Sequence, residues 1–88
     1  MASIRDLKKD INFVLGDIIE AVQLKELENP ELDGKAGDAI IEEAIAVFDA
    51  LMIEVNKKGV DNAKAHFSNI RKTLEEKAEG LVAQVNKL

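Results

Sequence analysis

Apolar residues return at steps of three and four along three separate stretches of this chain, and nowhere do they alternate with polar ones at the two-residue period of a half-buried strand. That rhythm calls for helices and excludes a fold built on sheets. In the first stretch Ile4, Leu7, Ile11, Val14, Ile18 and Ala21 keep the period, and Leu15, Ile19 and Val22 widen the stripe. The spacing predicts a helix over 3–28. Ser3 is its expected cap, and Pro30 its stop, because the residue before a proline is pushed out of helical geometry.

The second stretch carries Ile41, Ala44, Phe48, Leu51 and Val55, flanked by Ile40, Ile45, Val47 and Met52. It predicts a helix over about 38–58, with Asp38 as N-cap, Glu42 and Glu43 in the first turn and Lys57 and Lys58 in the last, all complementing the helix dipole. Asp33 offers an alternative cap for an earlier start through Gly34 to Gly37. Gly59 is expected to take the left-handed conformation that ends a helix, and Asp61 to cap the next one. The third helix, about 61–86, carries Ala63, Phe67, Ile70, Leu74, Ala78, Leu81, Val85 and Leu88. Its stripe steps by four onto Ala78 where a strict heptad would demand the charged Lys77.

Three helices of matched length with short connections predict an all-α fold: an up-down-up three-helix bundle of long antiparallel helices, forming one domain over 1–88. The competing arrangement shares the core between two chains as a dimeric six-helix bundle.

Composition narrows the function classes. The 88 residues include no cysteine, which removes disulfides, thiolate metal sites and a nucleophilic thiol. Trp and Tyr are absent too, so platforms for stacking bases or sugars reduce to Phe13, Phe48 and Phe67. The net charge of −5 argues against nucleic acid as a partner. No apolar run is long enough to span a membrane, and charges fill the place where a signal peptide needs its apolar segment, so a cytoplasmic location is expected. The charge is also uneven, acidic through the middle of the chain and mildly basic towards both ends, an asymmetry that could guide antiparallel self-association.

Some apolar residues do not fit a simple monomer. Measured around the first helix from Ile11, the main stripe lies within about 80° of zero, whereas Phe13, Leu24 and Leu27 fall at about 160° to 220°, with Gly16 near 140° beside them. These residues point away from the stripe. A glycine in mid-helix costs about 1 kcal/mol against alanine, and close approach of another backbone would account for it. Two readings stand: a second contact face, or Leu24 and Leu27 lying under the loop that carries Leu32, with Phe13 simply exposed. On the second helix Ala39, Ala46, Ala50 and Ile53 form a weaker strip opposite Phe48.

Motifs for chemistry are sparse. Asn29 to Asp38 resembles the first half of an EF-hand calcium loop, with Asn29, Glu31 and Asp33 at alternate positions before the turn glycine Gly34. It departs where the bidentate glutamate should stand, which is Ile40, and in Pro30 and Ala36. Gly34-Lys35-Ala36-Gly37 matches a GxxG loop, but Glu31, Asp33 and Asp38 surround it with negative charge. His66 is the sole histidine, without a second ligand at metal-binding spacing. Neither Ser3 nor Ser68 stands in the Asp-Ser-Leu setting of a phosphopantetheine site. The adjacent pairs Glu42-Glu43 and Glu75-Glu76 splay by about 100° on a helix and cannot aim at one substrate.

The sequence therefore leads to the expectation of a non-enzymatic helical interaction module without cofactor or metal, a homodimer that could also meet another helical protein. Its expected interface is Phe13, Gly16, Leu24, Leu27 and Ile53. The alternative expectation is a small-ligand or divalent-cation-binding helical protein using the 29–38 loop.

Overall fold

The computed structural model describes residues 4–31 and 34–88. Three helices account for nearly all of them: α1 (Ile4–Glu28), α2 (Gly34–Val55) and α3 (Ala63–Asn86). They pack against one another as an all-α three-helix bundle measuring 50 × 19 × 16 Å. The start of α2 lies beside the end of α1, where Gly37 meets Val22 and Glu26. The start of α3 lies beside the end of α2, where His66 meets Glu54. Asp10 of α1 meets Arg71 of α3, both in the first halves of their helices. The direction therefore runs up, down and up.

The core is aliphatic. Leu7, Ile11, Leu15, Ile18 and Val22 from α1 meet Ile40, Ala44, Leu51 and Val55 from α2 and Ile70, Leu74, Leu81 and Val85 from α3, each no more than 5% exposed. Among the described residues no polar or charged side chain is buried. The displaced step on α3 is as its spacing implies, with Ala78 half-buried and Lys77 exposed. Ile4 and Ile45, by contrast, belong to the apolar stripes and are nevertheless 47% and 49% exposed. Each helix of a three-helix bundle is covered by only two neighbours, so residues at the margins of a wide stripe stay wet.

The helix ends differ from expectation at three points. α2 begins at Gly34, the earlier of the two starts that the sequence offers and a full turn before Asp38, which is an exposed residue inside it. The reason is packing: Gly37 is buried, and a Cβ there would stand 3.1 Å from Val22 Cγ1 and 2.6 Å from Glu26 Oε1. A residue without a side chain lets the backbone of this turn come so near α1 without pressing on Val22. α2 also stops at Val55, so Lys57 and Lys58 follow the helix instead of closing its last turn. The cap of α3 is Asn62, not Asp61. Asn62 holds an extended conformation and its side-chain oxygen accepts the Ala65 N–H at 3.1 Å, the usual way an N-cap satisfies a free donor of the first turn. Gly59 takes φ 73°, the left-handed conformation expected of it. The expected caps Ser3 and Asp33, and Leu32 with them, lie outside the described residues.

Candidate functional site

α1 runs 25 residues, about 37 Å at 1.5 Å per residue, and its inner face is fully used by the core. Its outer face is where the unexpected side chains stand. Phe13 is 57% exposed, Leu24 50% and Leu27 77%. All three fall on one outward strip, together with Gly16, because steps of three, eight and three return to nearly the same side of a helix. At Gly16 nothing lies within 4 Å of the position a Cβ would take, so no contact inside the chain requires glycine there.

Ile53 is 70% exposed but occupies the outward face of α2, opposite Ala44 on the helical wheel. The outward faces of different helices in a bundle look in different directions, so the structure gathers Phe13, Gly16, Leu24 and Leu27 on one side and leaves Ile53 on another. Ala39, Ala46 and Ala50 are exposed as well.

Two shallow grooves flank the strip. Between α1 and α3 an opening of about 490 Å³ is lined by Phe13, Val14, Leu74 and Ala78, with the Asp10–Arg71 pair beside them. Between α1 and α2 a smaller one of about 200 Å³ is lined by Asn12, Gly16, Ile19, Ile45 and Phe48. The Arg71 guanidinium donates to Asp10 Oδ2 at 2.9 Å, with both side chains well exposed. Water screens such a pair, which contributes only about 0.2–1 kcal/mol. Lys9 Nζ stands 5.7 Å from the centroid of the Phe13 ring, one helical turn away, within reach of a cation–π attraction.

His66 serves the fold. Its Nε2–H donates to the Glu54 carbonyl at 2.6 Å, one of the carbonyls that the end of α2 leaves without a helical partner. Its ring also leans on Phe67, the centroids 5.5 Å apart. The bond ties the beginning of α3 to the end of α2. His66→Ala is expected to lower the free energy of unfolding by about 1 kcal/mol, the usual worth of one hydrogen bond, in urea melts followed by circular dichroism. An unchanged midpoint would show that the Lys57 N–H, which shares the same carbonyl at 3.3 Å, suffices there.

In the 29–38 region the backbone from Gly34 onward is helix, so the second half of the sequence resembling a calcium loop is wound into α2. Asn29 and Glu31 are exposed, and among the described residues no three His, Asp or Glu side chains converge as metal ligands would. Among the described residues, no helix is long and apolar enough to cross a membrane.

Compared with protein families, with curated proteins and with solved structures, the chain matches none.

The interhelical bonds escaped sequence reasoning. Asp10–Arg71, Glu54–His66 and Glu43–Gln84 join residues far apart in the chain. Their partners depend on the register in which the helices lie, which is set by loop lengths and by the close approach at Gly37. The exposed strip needed only the angular period of one helix.

Proposed function

We propose that this chain is a helical interaction module that self-associates through the outward strip of α1 and carries no catalytic activity. One observation supports this above others: Phe13, one of three aromatic residues in the chain, stands more than half in water on the same strip as Leu24 and Leu27. Isolated exposed apolar residues are ordinary, but aligned ones rimmed by charge mark contact sites. Gly16 adds to the reading, since its cost to the helix brings no return within one chain.

Sedimentation at micromolar concentration tests the proposal. The parent chain is expected to sediment above the monomer mass, and Phe13→Asp with Leu24→Glu to halve that mass while leaving the helical signal unchanged, because neither side chain belongs to the core. A parent chain that is monomeric discards the proposal. A homodimer in the cytoplasm is the form in which we expect the protein to act.

A further inference from the structure

Along the outward face of α1 the residues read Lys9, Phe13, Gly16, Glu20 and Leu24, with steps of four, three, four and four that hold all five on one side. All five are exposed. The spacing of the first four reads the same in both directions. When two copies of such a helix lie antiparallel about a two-fold axis, the register that sets Phe13 opposite Gly16 also sets Lys9 opposite Glu20, and each pair then occurs twice.

Both pairs match chemically. Gly16 presents an opening where no atom lies within 4 Å of an added Cβ. The Phe13 ring supplies the apolar bulk to cover it. Lys9 and Glu20 supply opposite charges at the rim, where complementarity fixes register more than it adds affinity. The whole helix has the same bias, since its first half is net basic and its second half net acidic. Two registers that would instead pair Phe13 with a leucine of the strip oppose like charges. Matching Phe13 with Leu27 brings Glu20 against its own copy, and matching Phe13 with Leu24 brings Asp17 against Glu20.

We infer that the partner on this strip is a second copy of the chain, its α1 crossing antiparallel, with each Phe13 ring seated on the other copy's Gly16 between two Lys9–Glu20 ion pairs. The inference rests on the self-association proposed above, and charge reversal separates the two. Lys9→Glu and Glu20→Lys are each expected to weaken dimerisation about tenfold, since each sets like charges face to face in both pairs. The double reversal K9E/E20K restores both pairs and should bring the dissociation constant back to within about threefold of the parent. Gly16→Leu fills the seat and is expected to weaken dimerisation about tenfold as well, while the monomer keeps its helical signal because the space is open.

Sedimentation equilibrium reads all four variants. A monomeric parent removes the association and the register together. If the parent associates but the double reversal stays as weak as the single ones, or Gly16→Leu binds like the parent, the register is wrong and the self-association stands.

Discussion

Ile11→Ala is expected to destabilise the fold by about 3 kcal/mol, within the usual range for emptying a buried aliphatic site. Ile11 is completely removed from solvent and belongs to the cluster that all three helices build. Its loss leaves a void that neighbouring side chains fill only in part, so the transfer energy of the missing carbons and the cost of the cavity add. Small domains hold about 5–15 kcal/mol in total, which makes this a large fraction. The thermal midpoint should fall by about 15 °C, read by circular dichroism. Ile53→Ala is the control: at 70% exposure it should change the stability by about 0.5 kcal/mol at most and so move the midpoint little. Equal losses from the two substitutions would mean that the core is not where the structure puts it.

Gly37→Leu should cost about 2–3 kcal/mol, the penalty of forcing extra carbons into a closed contact. The two neighbours of an added Cβ respond differently. The Glu26 carboxylate, 2.6 Å away, is the free end of a flexible side chain and can swing aside. Val22 Cγ1, 3.1 Å away, belongs to a residue with no exposure and cannot. For Gly37→Ala the strain against Val22 opposes a gain of about 1 kcal/mol in helix propensity, and the two nearly cancel. Gly80→Ala, in open space on α3, should keep that full gain. The order of stability expected in urea melts is Gly80→Ala above the parent, Gly37→Ala beside it and Gly37→Leu well below. A stable Gly37→Leu would disprove the close approach of α2 to α1.

The same glycine explains where sequence reasoning stopped. Pro30 and Gly59 act locally, one by its ring and the other by its lack of a side chain, so the breaks between helices were legible from neighbouring residues. The step onto Ala78 was legible too, because a period is a property of one helix. Gly37 acts through contact with Val22, and its reason lies in another helix. Asp38 therefore looked like the better cap although α2 begins a turn before it. Asp61 and Asn62 are both competent caps by composition, and the path of the chain after Gly59 decides between them. Exposure of Ile45 was hidden for a related reason: the helical wheel gives an angle, but only the placement of neighbours says which angles are covered. For the candidate surface the wheel was enough to group Phe13, Gly16, Leu24 and Leu27, and it could not tell that Ile53 looks elsewhere.

The molecule is a body far longer than it is wide. Two such rods laid flank to flank double their girth and keep their length, so the pair is squatter than either member and meets less drag for its mass. Joined tip to tip they would become a needle. The frictional coefficient thus separates a lateral pair from an end-to-end one before any residue is changed.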